Sequence, residues 1–225
     1  MHGLTGFGYS LFCLPLLAFL MPVPSAVPML CLTSIFLNLF VFFKARKSLD
    51  LSRILPLLAS GIAALPVGIW VLKNTDESTL KIVIGVLVAL SSVVYLSGFR
   101  INVRREKLAM IPVGFLSGVL NGAITFSGPP VILFFANQKV DKHQFRASLA
   151  TYFLLLNIAA VPAFVASNLF TLKAALNTTY ILPAVITGGL LGIKLADVVS
   201  ESRFRFLALI ALGVLGVFSA VSQVL

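Results

Sequence analysis

The chain has 225 residues, 59% of them hydrophobic and 11% charged, with a mean hydropathy of +1.06; this composition excludes a soluble globular domain and marks a polytopic membrane protein. The formal charge of +10 does not point to nucleic acid, because the Lys and Arg sit in short connections between apolar runs, where membrane topology accounts for them. Cys13 and Cys31 have neither CxxC spacing nor a neighbouring His, which argues against a disulfide or metal site and leaves them as small apolar residues.

Apolar runs long enough to cross a bilayer, about 20 residues each, lie near residues 26–43, 54–72, 80–99, 147–166, 178–196 and 204–224, and two further runs, 4–20 and 108–137, are interrupted. The opening MHGLTGFGYS has no basic n-region and no small-residue cleavage site, so it reads as part of the fold rather than as a signal peptide. Along the chain an internal repeat emerges. Gly3, Ser10 and Pro15 fall opposite Gly118, Thr125 and Pro130; Asn38 in IFLNLF falls opposite Asn157 in LLLNIA; Ile54-Leu55-Pro56 with Gly61 falls opposite Ile181-Leu182-Pro183 with Gly188. The order is kept, with small insertions in the loops, and predicts two homologous halves: residues 1–98 and 108–225, joined by a basic cytoplasmic linker at 99–107.

Counting basic residues decides how the halves are oriented. If every run crossed fully, nine of the seventeen Lys and Arg would lie on the cytoplasmic side, almost no bias. If 4–20 and 108–137 instead dip in and return on the same side, Lys139, Lys142, Arg146, Lys194, Arg203 and Arg205 join that side, Lys173 leaves it, and fourteen of seventeen are cytoplasmic. The positive-inside bias selects the second arrangement. Three crossings per half then insert the second half upside down, so the expected fold is all-α and polytopic, with two inverted repeats, each a re-entrant broken element plus three transmembrane helices. The segment Pro129 to Asn137, about 14 Å long as a helix, fits a half-helix better than a span.

The glycines Gly61, Gly68, Gly188, Gly189 and Gly192 are expected to serve close helix packing, and Pro112, Pro162 and Pro183 to kink or start helices. All seven acidic residues fall in predicted loops or at helix ends, which argues against proton pumps and cation exchangers that rely on an intramembrane carboxylate. With only His2 and His143 present and no Asp pair placed for catalysis, neither a zinc protease nor an aspartyl protease fits; no enzyme, metal site or cofactor is expected.

What the membrane interior retains is neutral and polar: Asn38, Asn121, Thr125, Ser127 and Asn157, with Thr5, Tyr9 and Ser10 in the matching first-half element. Half-helices beginning near Ser10 and Ser127 would turn unsatisfied N–H groups and a positive dipole end towards a solute, which favours an anion. Pro129 and Pro130 carry no N–H, leaving Gly128, Val131, Ile132 and the Ser127 hydroxyl as donors there. Each Asn has the alternative role of gluing helices through an interhelical hydrogen bond. Arg146 either draws anions into a cytoplasmic vestibule or acts as one more positive-inside anchor.

The opening GLTGFGYSLFCLPLLAFL, the element SGVLNGAITFSGPPVILFF and the two ILP…G helices together resemble the sulfite exporter TauE/SafE family of membrane permeases, over nearly the whole chain. The resemblance implies a bacterial inner-membrane transporter for sulfur oxyanions, organosulfonates or other organic anions. It places the family's glycine-rich elements on Gly3, Gly6 and Gly8, and on Gly118, Gly122, Gly128 and Pro129. Two departures stand out: the denser glycine cluster of the family reads Thr125-Phe126-Ser127-Gly128 here, and two residues precede Gly3 where about ten apolar or small residues precede Gly118, so the first arm is expected to be truncated.

The reading that follows is a secondary transporter for a small anionic solute in the lipid bilayer, with substrate contacts at Asn121, Thr125, Ser127, Gly128, Asn157, Asn38, Ser10 and Gly8. A non-transporting scaffold or anchor subunit using the basic loops is the alternative from another class. A channel is disfavoured, since no ring of charged or repeated pore residues is visible. Direction, coupling ion and assembly state, a homo-oligomer included, stay open.

Overall fold

The computed structural model describes residues 9–46, 49–97, 106–136, 138, 142–170 and positions 174, 176, 178–180, 182–185 and 187–188. Among these residues the protein is helical, without strands: α1 Tyr9–Leu20, α2 Val23–Ala45, α3 Leu51–Asn74, α4 Glu77–Ser97, α5 Glu106–Ile124, α6 Gly128–Ala136 and α7 Lys142–Ala166. The described positions from 174 to 188 are helical as well. Among the described residues four helices are long and apolar enough to cross a membrane: Val23–Ala45, Ile54–Asn74, Glu106–Ile124 and His143–Ala166.

The apolar runs at 26–43, 54–72 and 147–166 lie inside α2, α3 and α7, and the run at 80–99 corresponds to α4 as far as Ser97. The helices extend several residues past the apolar runs because polar residues at their ends still satisfy backbone donors and acceptors. Asp76 shows how: its carboxylate accepts the Thr79 N–H at 2.8 Å and the Thr79 hydroxyl at 2.9 Å, capping the N-terminus of α4, while Glu77 and Lys81 pair one turn apart at 2.8 Å. At the C-terminal end of α7, Asn168 takes φ 58, and Asn168 and Leu169 donate back to the Val165 and Phe164 carbonyls, a Schellman closure of the helix. The run at 204–224, Gly189 and Gly192 lie outside the described residues.

The most intimate packing is between α3 and α5, which meet backbone to backbone. A Cβ on Gly118 would overlap the Gly61 carbonyl, one on Gly114 the Leu57 carbonyl, and one on Gly68 the Val119 carbonyl; on Gly122 it would lie 2.6 Å from the Leu65 carbonyl. The glycines at 114, 118 and 122 recur every fourth residue, so they form one bare stripe on α5 into which α3 settles. Gly61 and Gly68 thus have the packing role expected of them, whereas Gly188 meets nothing among the described residues. α7 packs along α2 and α3, and is buried nearly all round over residues 147–154.

The apolar side chains divide in the sense expected of a membrane bundle. Leu30, Leu65, Leu72, Phe135, Leu156 and Phe164 fill the interior, and Phe43, Leu55, Trp70, Leu90, Ile111 and Phe115 lie exposed on the outside. An exposed apolar surface of that extent suits lipid rather than water, and Trp70, near the end of α3, is exposed on it.

Candidate functional site

The interrupted run at 108–137 breaks at Thr125–Ser127, between α5 and α6. Thr125 carries a positive φ of 50, a conformation that costs a β-branched residue energy. Its N–H still reaches the Asn121 carbonyl at 2.9 Å, and Phe126 N–H reaches back to the Leu120 carbonyl at 3.1 Å. Ser127 then presents its carbonyl to the hydroxyl of Ser117, ten residues earlier, at 2.8 Å. Within three residues the chain has therefore turned back alongside α5.

In a helix that begins at Gly128, the carbonyls of Ser127 and Gly128 receive the N–H groups of Val131 and Ile132. Those two donors are consumed by the helix itself, contrary to the expectation from sequence. Since Pro129 and Pro130 have none, the backbone donors left at this end of α6 are the N–H groups of Ser127 and Gly128. Three residues before Gly128 lies Thr125, 5% exposed, whose hydroxyl oxygen is buried without a hydrogen-bond partner among the described residues.

One turn further into α5 lies an amide cluster. Asn121 Nδ2 donates to Asn157 Oδ1 at 3.0 Å, and Asn157 Nδ2 donates to Ser34 Oγ at 2.7 Å. Cys31 Sγ donates weakly to the same Asn157 oxygen at 3.4 Å. Asn38 Nδ2 bonds the Ser34 carbonyl at 2.9 Å, which places Asn38 on the face of α2 that carries Ser34. Asn157 on α7 is thus the hub that ties α2 to α5, and all these side chains are buried.

Of the residues singled out from sequence, Asn121, Asn157, Asn38, Thr125 and Ser127 are buried here, and Gly128 lies half-buried at the start of α6. Asn121 and Asn157 are in direct contact. Arg146 is half-buried near the start of α7, about 16 Å along the helix axis from Asn157, so it stands apart from the amide cluster. Ser10 is half-buried in the first turn of α1; Gly3, Gly6 and Gly8 lie outside the described residues. Gly118 and Gly122 belong to the α3–α5 seam.

Sequence reasoning missed Ser34, Ser117 and Tyr152 and took Cys31 as a plain apolar filler. The signal was there in part: Cys31, Ser34 and Asn38 are spaced i, i+3, i+7, and Ser117, Asn121 and Thr125 i, i+4, i+8, so each set shares a helix face. Among the described residues the buried hydrogen-bonding side chains are Ser, Thr and Asn with the Tyr152 phenol and the Cys31 thiol, and no group of His, Cys, Asp or Glu able to hold a metal occurs among them. Such an arrangement can bind a polar solute by hydrogen bonds.

A family model described as Sulfite exporter TauE/SafE matches residues 1–219 of the chain. No curated protein and no solved structure matches it significantly.

Proposed function

The chain belongs to the sulfite exporter TauE/SafE family, a family of membrane transporters, and from that premise we propose that it is a secondary transporter of small anions such as sulfite, sulfonates or related organic anions, working as a multi-pass permease of the bacterial inner membrane. The observation that carries the reading is the neutral, donor-bearing interior. Asn121, Asn157, Thr125 and the open end of α6 converge on one part of α5, and no carboxylate is buried among the described residues. A buried carboxylate would repel an anion, whereas N–H groups and a positive helix end attract one.

The architecture proposed with it is the inverted repeat, in which α5 and α6 form a re-entrant element and α1 belongs to its counterpart. The fold-back at Thr125–Ser127 and the short α6, nine residues long, support that reading, as does the basic-residue bias. Arg146, with the other basic residues of its loop, would raise the local anion concentration at the cytoplasmic mouth. Nothing observed favours the scaffold alternative.

Purified protein in liposomes, offered labelled sulfite, sulfonates and small carboxylates with and without a pH gradient, should move at least one of them. Transport of none would overturn the reading. Single cysteines at positions 140 and 170 test the architecture: accessibility of the first from the cytoplasmic side and of the second from the opposite side is expected, and the reverse would sink the inverted repeat.

A further inference from the structure

A chain of hydrogen bonds runs from the middle of α7 to the first peptide of α6. The Tyr152 hydroxyl donates to Ser117 Oγ at 2.9 Å, and Ser117 Oγ donates to the Ser127 carbonyl at 2.8 Å. Tyr152 and Ser117 are fully buried and Ser127 nearly so. Gly61 makes room for the phenol: a Cβ there would come within 2.8 Å of the Tyr152 oxygen.

The peptide joining Ser127 to Gly128 is planar and trans, as no cis bond occurs among the described residues, so its C=O and N–H point in opposite directions. The Ser127 carbonyl, which also receives the Val131 N–H in the first turn of α6, is thus pinned from α5 as well, and this second bond helps fix the Gly128 N–H facing out of the start of α6. In most helices the loss of one oriented N–H would matter little, because its neighbours share the task. Here Pro129 and Pro130 have removed those neighbours, and the orientation of this single peptide decides half of the remaining backbone donors.

We infer that Tyr152 and Ser117 are positioning residues for anion binding, acting through the Ser127–Gly128 peptide. The phenol polarises the Ser117 hydroxyl, strengthening its bond to the carbonyl, and the pair holds open a donor that an anion would use. The inference rests on the transporter reading, and it adds residues of α7 and α5 that have no direct part in it.

The test uses the full chain in liposomes and whichever anion of the panel the wild type moves. Tyr152→Phe and Ser117→Ala should each raise KM about three- to tenfold, the worth of one hydrogen bond, with Vmax and the amount of inserted protein staying near wild type. A purely structural role predicts the opposite split, with less inserted protein and an unchanged KM, and that result overturns the inference. Should Tyr152→Phe fail to insert, Ser117→Ala, which leaves every ring in place, decides by the same criterion. A wild type that moves no anion sinks the transporter reading and this inference with it, an outcome distinct from active transport with unchanged KM in the variants, which sinks the inference alone.

Discussion

The carboxamide oxygen of Asn157 lies 3.0 Å from the Asn121 amide nitrogen, and the Asn157 amide in turn lies 2.7 Å from the Ser34 hydroxyl. One side chain on α7 thus holds both α5 and α2. An interhelical hydrogen bond of this kind in a membrane is worth about 0.6 kcal/mol on average. Asn157→Ala, which loses those two and the Cys31 contact, should cost about 2 kcal/mol, and Asn121→Ala about 0.6–1 kcal/mol. Thermal unfolding in detergent checks the order. If the pair also contacts the solute, Asn121→Ala raises KM well beyond what its small stability loss explains; if it is glue alone, KM stays put.

The α3–α5 seam makes a sharper structural prediction. Gly118→Ala sets a methyl against the Gly61 backbone, and two helix backbones cannot step aside as a side chain can. The cost should reach about 3 kcal/mol or more, at the upper end of overpacking. Gly61→Ala meets mainly the movable Tyr152 hydroxyl and should cost less, about 1 kcal/mol. Gly188→Ala, which meets nothing among the described residues, should change stability by less than about 0.5 kcal/mol. Equal effects at Gly118 and Gly188 would contradict the packing described for both.

What could be read from the sequence follows from how strongly each feature is constrained. The spans were legible because a bilayer forces long apolar helices, and the break near Ser127 because Gly and two prolines interrupt one. Asn38, Asn121 and Asn157 stood out because an amide at membrane depth is costly unless paired. The hydroxyls were harder. Thr33 and Thr151 satisfy themselves on carbonyls one turn back, those of Met29 and Ala147, whereas Tyr152 donates across to Ser117 on α5, and Ser34, which also donates back to the Cys31 carbonyl, accepts from Asn157 on α7. Nothing local separates the two behaviours; only the packing of α7 against α2 and α5 does. Likewise Gly118 and Gly128 look alike in sequence, and it is the approach of α3 that assigns the first to a seam and leaves the second at a helix end.

Outside the candidate spans, Asp76 gives a pH signature. Its bonds from the Thr79 backbone and hydroxyl hold its carboxyl below the usual carboxylate range. A carboxyl whose folded pKa is lowered contributes stability above its unfolded value, about 3.9, and loses that contribution as pH falls through the folded value. The start of α4 should accordingly fray under acid, with faster hydrogen exchange at the Thr79 amide below about pH 4. Asp76→Asn should remove that acid dependence, and an unchanged profile in the variant would dismiss the cap as its cause.

Thr125 combines two costs that a stability-driven sequence would avoid. Its φ of 50 strains a β-branched residue, and its hydroxyl oxygen is buried without a partner among the described residues; each costs about 1–3 kcal/mol. Thr125→Gly removes both, against a chain-entropy cost of about 0.5–1 kcal/mol, so the variant should be more stable by at least about 1 kcal/mol. The retained cost makes sense if the hydroxyl serves the solute, because a buried hydroxyl three residues before Gly128 is then completed only on binding. Thr125→Gly should therefore gain stability and lose affinity together. Thr125→Val keeps the strained shape without the hydroxyl and should raise KM with little gain from the backbone. A more stable Thr125→Gly protein with unaltered KM would show that the hydroxyl takes no part in binding, and would return the site to Asn121, Asn157 and the end of α6.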